Sequence, residues 1–189
     1  MTNGGNLAAF LYMLRETKRE HYDHILSTIR LVVPYLRDLI LEPDRLNPTR
    51  IQLRWRDESE YEFGPHQFSD GSLRAIALVT ALMQPDEFLP SVILIDEPEL
   101  GLHPAAMGVI ADLIKEVSEK RQVIIATQSP PLLSAFSPDQ VVVAERRAYE
   151  NGFGESVYRK LSKDDLALWL QDFNLGELYE KNVTGGWPK

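Results

Sequence analysis

The spacing of apolar and polar residues changes along the chain and predicts helices first and strands afterwards. Apolar residues recur at helical intervals over residues 7–19 and again over residues 22–33, and Pro34 follows. Each stripe is typical of an amphipathic helix whose apolar face packs into a core. Over residues 50–63 the period changes to two, which predicts a β-hairpin with one apolar face.

Helices and strands are predicted to alternate through the middle of the chain. A helix opens at Ser69 and runs to Leu82, and another covers residues 105–120. Strands are predicted at residues 92–95 and 122–126. The first is an uninterrupted apolar run, so we expect it to be buried on both faces. The order strand, helix, strand indicates a right-handed parallel crossover, and hence an α/β fold with a mainly parallel sheet flanked by helices.

The last part of the chain predicts smaller elements. Strands at residues 141–144 and 157–161 flank a turn at residues 152–154, and we expect them to pair as a hairpin. Ser162 and Asp165 have the spacing of a capping box, which predicts a helix with its apolar face at residues 166–170. A short docked helix is predicted at residues 173–179.

Composition narrows the class of protein. A chain of 189 residues with 44% hydrophobic residues can build one core with at most a small appendage. A net charge of -8 argues against a surface that coats nucleic acid, so we expect Arg50, Arg54 and Arg56 of the hairpin to face water and not a polyanion.

Cysteine is absent, which excludes disulfides and thiolate metal sites. No apolar run is long enough to span a membrane, and we expect a soluble, cytoplasmic protein.

Two short segments carry candidate chemistry. Asp96 and Glu97 directly follow the central strand, at the sheet edge where open α/β folds bind ligands. One such acid can hold a hydrated magnesium ion while the next orients water. In the other segment, Ser69 or Asp70 can cap a helix whose free N–H groups favour an anion, and Gly71 permits a close backbone approach.

Three motifs in a fixed order resemble those of one ATPase family. The segment SVILIDEPELGLHP resembles a Walker B motif with its catalytic glutamate, FSDGSL resembles the ABC signature motif, and VIIATQSP resembles the following strand and switch loop. The chain from Asn6 to Gly186 is similar to the carboxyl-terminal half of ABC-type ATPases related to SMC, RecF and double-strand-break-repair proteins. The resemblance implies a P-loop NTPase fold. Residues 1–66 would then form a helical segment and hairpin that lead into an ATPase lobe at residues 67–189.

The same resemblance assigns roles to individual residues. Asp96 would bind Mg²⁺ of an ATP complex and Glu97 would act as the general base, while Gln128 would sense the γ-phosphate in place of the more usual histidine. The signature residues would contact ATP held by the other subunit of a homodimer, and the D-loop residues would lie along that nucleotide interface. The signature set is Ser69, Gly71 and Ser72, and the D-loop set is Gly101 and His103. His103 could equally cap or pack locally. Asp70, where the family has glycine, fits a capping role better than a phosphate contact.

One expected motif is missing. No GxxxxGK[ST] phosphate loop, or Walker A motif, occurs in the 189 residues. We therefore expect a fragment that works with a missing Walker A lobe. The alternative is a non-catalytic regulatory or interaction module that retains the fold. Relatives of this family act in DNA repair or in defence against foreign DNA, sometimes beside a nuclease, so DNA or a nuclease is an implied partner. A nuclease activity in this chain itself has little support, since Asp164, Asp165 and Asp172 form no recognisable metal motif.

Overall fold

Two compact units make up the chain, Met1–Ala126 and Thr127–Lys189. The computed structural model describes residues 5–148 and 154–186. The boundary predicted between residues 66 and 67 falls inside the first unit and stays a prediction. The helices and strands are α1 (Leu7–Thr17), α2 (Arg19–Val32), β1 (Asp38–Pro43), β2 (Ile51–Arg56), β3 (Glu62–Phe63), α3 (Asp70–Leu82), β4 (Val92–Asp96), α4 (Pro104–Ser118), β5 (Gln122–Ala126), α5 (Pro130–Leu133), β6 (Val142–Ala148), β7 (Gly154–Lys160) and α6 (Leu175–Glu180).

The two amino-terminal helices confirm the helical spacing read from the sequence. Their apolar stripes are buried, with Leu11, Leu14, Ile25 and Ile29 fully inaccessible to solvent. Tyr22 belongs to the same core, and its burial raises the pKa of its hydroxyl to about 12. The end of α2 coincides with Pro34, whose ring disfavours helical geometry in the residue before it. Helix α3 packs against both α1 and α2, so the helical layer supports the candidate site.

A three-stranded antiparallel sheet follows these helices in the order β1, β2, β3. The predicted hairpin is confirmed by the pairing of Trp55 in β2 with Phe63 in β3. Strand β1 was not predicted, because six residues of mixed character carry too little periodicity to stand out. Two of the three hairpin arginines, Arg54 and Arg56, pair with acids of the same sheet. Arg56 lies 2.7 Å from Glu62, and its hydrogen bond holds the pKa of Glu62 below the usual value.

Strands β4 and β5 form a parallel pair in which Ile95 lies opposite Ile125. This confirms the predicted parallel crossover through α4. The prediction that β4 is buried on both faces is wrong. Leu94 is 74% exposed, and Val92 and Ile124 are 46% and 48% exposed, whereas the alternate residues are half-buried. Helix α4 packs against this pair. An apolar run shows that both faces favour burial, but it does not show which elements cover them.

The second unit contains an antiparallel ribbon of β6 and β7 and a small core. The predicted pairing of these strands is confirmed, and most of the predicted turn lies outside the described residues. Helix α6 confirms the predicted docked helix. The core residues are Val143, Leu161, Leu166, Leu175 and Leu178.

The helix predicted after Ser162 is wrong. Turns occupy this segment, followed by a short 3-10 helix at Trp169–Gln171. The Ser162 hydroxyl oxygen accepts a hydrogen bond from the N–H of Asp164 at 3.2 Å, which closes a local turn in place of a helix cap. Asp165 is also one methylene shorter than the Glu or Gln of a usual capping box. As a result Leu168 is 80% exposed.

Across residues 5–148 and 154–186, no helix combines the length and apolarity that crossing a bilayer requires.

Candidate functional site

The two adjacent acids lie where the parallel pair ends. Asp96 is the last residue of β4 and Glu97 follows it, with its N–H donating to the carbonyl of Ala126 at 2.8 Å. Glu97 has a φ of +45°, a left-handed conformation that costs a non-glycine residue about 1–3 kcal/mol. Both side chains are exposed, and within the described ranges neither carboxylate has a hydrogen-bond or ion-pair partner. Backbone hydrogen bonds thus fix the position of the two acids, and their carboxylate oxygens are available to bind a ligand.

The amino terminus of α3 forms the second part of the site. Ser69 is the helix cap, since its hydroxyl oxygen accepts a hydrogen bond from the N–H of Ser72 at 3.1 Å. Asp70 is the first residue of the helix and is exposed, so its carboxylate lies where the helix dipole favours negative charge. Of the two capping residues that the sequence allowed, the structure therefore selects Ser69.

Two glycines join these parts through their backbones. A Cβ atom placed on Gly71 would lie 2.0 Å from the carbonyl oxygen of Gly101, closer than any side chain tolerates. Gly101 has a φ of +78°, and a Cβ there would lie 2.9 Å from the Cα of Gly71. The close approach predicted for Gly71 is therefore made to the loop after Glu97 in the same chain. This contact ties the start of α3 to the loop that leads away from the acids.

A hydroxyl chain and an aromatic stack support the start of α3. Tyr35 donates a hydrogen bond to the hydroxyl of Ser72 at 2.7 Å, and that hydroxyl lies 2.7 Å from the hydroxyl of Ser69. Phe68, just before the cap, stacks on Trp55 of β2 with ring centroids 4.6 Å apart. Sequence reasoning missed Tyr35, because nothing near Pro34 indicates a contact with a residue 37 positions later.

His103 has the local capping role that was one of its two predicted alternatives. Its Nδ1 accepts a hydrogen bond from the N–H of Ala105 at 3.2 Å, and Pro104 occupies the first helical position of α4. An accepting Nδ1 requires the neutral imidazole to carry its proton on Nε2. The role of His103 at a dimer interface stays a prediction.

Replacing His103 tests the cap. We expect His103→Ala to lower the free energy of unfolding by about 1 kcal/mol, because the N–H of Ala105 loses its partner. His103→Asn should retain most of the stability, since asparagine is among the best capping residues. Urea denaturation of the two variants beside the wild type measures the difference. Equal losses in both variants would show that the imidazole contributes something other than the cap.

Gln128 lies in the second unit, two residues after β5 ends, and its side chain is exposed. The hydroxyl of its neighbour Thr127 accepts a hydrogen bond from the N–H of Ser129 at 3.0 Å, and Ser129 caps α5. The structure thus brings Gly71 and Gly101, one residue from each of the two predicted sets, together within the first unit. Gln128 belongs to the other unit, and its part in sensing phosphate stays a prediction.

Asp96 suits a metal that takes few protein ligands. The described residues contain no group of three or more histidine, cysteine or acidic side chains that could enclose an ion. Mg²⁺ commonly binds through one or two carboxylates, with water and substrate phosphates as its other ligands. An exposed carboxylate at a strand end fits that pattern.

The chain is similar to known ATP-binding proteins. Residues 16–134 match the family described as "AAA domain, putative AbiEii toxin, Type IV TA system". The energy-coupling factor transporter ATP-binding protein EcfA of Methanosphaera stadtmanae is 28% identical over 139 residues, which cover 68% of this chain and 47% of the relative. The corresponding EcfA2 protein of Staphylococcus epidermidis is 22% identical over 181 residues, which cover 84% of this chain and 61% of the relative. The chain thus spans about half of the length of these relatives.

Solved structures show the same fold. The Smc head domain of Pyrococcus furiosus, bound to the carboxyl-terminal domain of ScpA, superimposes with a TM-score of 0.58 at 19% identity, over 86% of this chain and 39% of that one. An SMC ATPase studied for ATP-driven dimerization and DNA-stimulated activation superimposes with a TM-score of 0.52 at 18% identity. The superposition covers 86% of this chain and 96% of that one. The α/β fold predicted from the sequence is therefore confirmed as that of an SMC ATPase head. Because the family model matches more than half of the chain, the protein belongs to this AAA-domain family, and it is similar to ABC transporter ATP-binding proteins and to SMC heads.

Proposed function

We propose that this chain is the lobe of an ATP hydrolase that carries the signature and Walker B motifs, and that ATP is bound between two copies of the complete protein. The observation that supports this most directly is the backbone contact between Gly71 and Gly101. It connects an anion-binding helix end with the loop that follows two available carboxylates. A dimer that closes on ATP at one of these parts would thereby affect the geometry of the other.

The acids would carry out the hydrolytic part of the reaction. Mg²⁺, when bound, supplies positive charge that offsets the charge on the phosphates. Asp96 would hold that ion, directly or through water. Glu97 would orient the attacking water and accept its proton, a role that contributes about 10²–10⁴ in rate. The fixed backbone at Glu97 supports this assignment, because positioning accounts for much of phosphoryl-transfer catalysis.

The signature helix would bind the γ-phosphate of the ATP that the partner subunit holds. Free N–H groups in the first turn of α3 and the hydroxyl of Ser69 are hydrogen-bond donors suited to an anion. Gly71 holds the start of the helix against the loop at Gly101, and Ser72 stands where the family has glutamine. Gln128 would donate a hydrogen bond to the γ-phosphate held by its own subunit, without contributing charge.

We further propose that a lobe with a phosphate loop covers the exposed face of the parallel pair. Val92, Leu94 and Ile124 lie on this face and are about half-exposed or more. Adjacent exposed apolar side chains mark surfaces that pack against another element. The 189 residues contain no phosphate loop to cradle ATP, which gives the second reason to invoke such a lobe.

Comparing this chain with the complete protein tests the proposal. We expect Mg²⁺-dependent ATP hydrolysis by the complete protein and none by the purified chain, because the chain has no phosphate loop. Phosphate release measured on both at equal concentration decides the matter. Turnover by the purified chain that Glu97→Gln abolishes would contradict the proposal. A complete protein that binds ATP without hydrolysing it would favour the regulatory module instead.

We further propose that the ATPase activity serves DNA repair or defence against foreign DNA. The family description names a toxin–antitoxin system, and one structural neighbour is described as activated by DNA. ATPase rates of the complete protein with and without duplex DNA, and with a co-purified nuclease if one is found, test this placement. Identical rates under all conditions would contradict a DNA-linked role.

A further inference from the structure

We propose that Tyr35 is a positioning residue that directs the hydroxyl proton of Ser69 toward the bound phosphate, through the hydroxyl of Ser72. The inference rests on the proposed function, because it takes the start of α3 to be the site that engages the γ-phosphate. The three hydroxyls form a continuous chain, with 2.7 Å from Tyr35 to Ser72 and 2.7 Å from Ser72 to Ser69.

One of the two directions open to this chain leaves the Ser69 hydroxyl as a donor to the phosphate. Each hydroxyl has one proton and two acceptor lone pairs. Ser69 already accepts the backbone N–H of Ser72 at 3.1 Å. If it also accepts the Ser72 hydroxyl proton, both of its lone pairs are occupied and its own proton is left for an outside acceptor. A phosphate oxygen is such an acceptor, and it has no proton to compete.

Tyr35 favours this direction over the reverse. Its hydroxyl donates to Ser72, which polarises the Ser72 hydroxyl and makes it a better donor to Ser69. The same effect passes to Ser69, so that all three protons point toward the anion. Without Tyr35, the Ser69 hydroxyl can instead donate its proton to Ser72. That proton is then not available to the phosphate.

The hydroxyl of Tyr35 can be removed separately from its ring. The ring lies 5.4 Å from the ring of Trp55 between centroids, and Tyr35 as a whole is 43% exposed. Tyr35→Phe therefore keeps the aromatic contact and removes one hydrogen bond. Tyr61→Phe is a matched control, because Tyr61 is 71% exposed and has no part in the hydroxyl chain.

The test measures the dimer of the complete protein with a non-hydrolysable ATP analogue and Mg²⁺, by sedimentation equilibrium, alongside analogue binding to the monomer. We expect Tyr35→Phe to raise the dimer Kd about three- to tenfold, the effect of one hydrogen bond, and to leave monomer binding unchanged. Tyr61→Phe should change neither. The double variant Tyr35→Phe with Ser72→Ala should be no weaker than Ser72→Ala alone, because both changes break the same chain.

The outcomes separate this inference from the proposed function. If no nucleotide-dependent dimer forms, or if Ser69→Ala leaves the dimer Kd unchanged, the signature role fails and the positioning role fails with it. If Ser69→Ala weakens the dimer while Tyr35→Phe behaves like Tyr61→Phe, only the role of Tyr35 is wrong. Effects of Tyr35→Phe and Ser72→Ala that multiply in the double variant would also contradict it, since they would act independently.

Discussion

Glu97→Gln in the complete protein is expected to lower the rate of ATP hydrolysis by about 10²–10⁴ while ATP binding persists, because an amide cannot accept the proton of the attacking water. Glutamine has nearly the same shape and keeps the backbone contact to Ala126, so the left-handed conformation at this position should survive. Since the carboxylate has no partner within the described residues, we expect the unfolding temperature to stay close to that of the wild type.

Three measurements check this expectation together. Steady-state phosphate release reports hydrolysis, equilibrium titration reports ATP binding, and light scattering reports the nucleotide-bound dimer, which should accumulate when hydrolysis stops. Glu119→Gln is the matched control, because Glu119 is an exposed glutamate at the end of α4 and should have no effect. Normal turnover by Glu97→Gln would remove Glu97 from the catalytic role and leave Asp96 as the first acid to test.

Gly71→Ala is expected to destabilise the chain by about 1–3 kcal/mol, because the added methyl group meets the backbone of Gly101. Its Cβ would lie 2.0 Å from a carbonyl oxygen and 2.6 Å from the carbonyl carbon. Backbone atoms cannot rotate away as a flexible side chain can, so either the start of α3 or the loop at Gly101 must move. We therefore expect the complete protein to lose nucleotide-dependent dimerisation as well.

Gly108→Ala provides the matched control for that prediction. Gly108 lies inside α4, and a Cβ there would have no neighbour within 4 Å. Alanine should stabilise the helix by about 0.5–1 kcal/mol through its higher helix propensity. Urea denaturation of both variants should therefore give changes of opposite sign. A Gly71→Ala variant as stable as Gly108→Ala would show that the two backbones are not in contact.

Local patterns determined much of the secondary structure. The stripes of α1 and α2, the hairpin of β2 and β3, and the order β4, α4, β5 were all predicted, because each arises from interactions between residues close in sequence. The helix predicted after Ser162 failed for a related reason. A serine that can cap a helix can also close a turn, and the choice depends on the surrounding packing.

The sequence by itself indicated the family, showed the order of the motifs and predicted the type of chemistry, because carboxylates, a helix cap and glycines have the same properties wherever they lie. Only the tertiary structure decided how these parts are connected. It placed Gly71 against Gly101, joined Tyr35 to Ser72, and left Leu94 exposed on a strand that its composition predicted to be buried. These features depend on residues distant in sequence or on faces that no described element covers. The spacing of residues along the chain therefore does not predict these features.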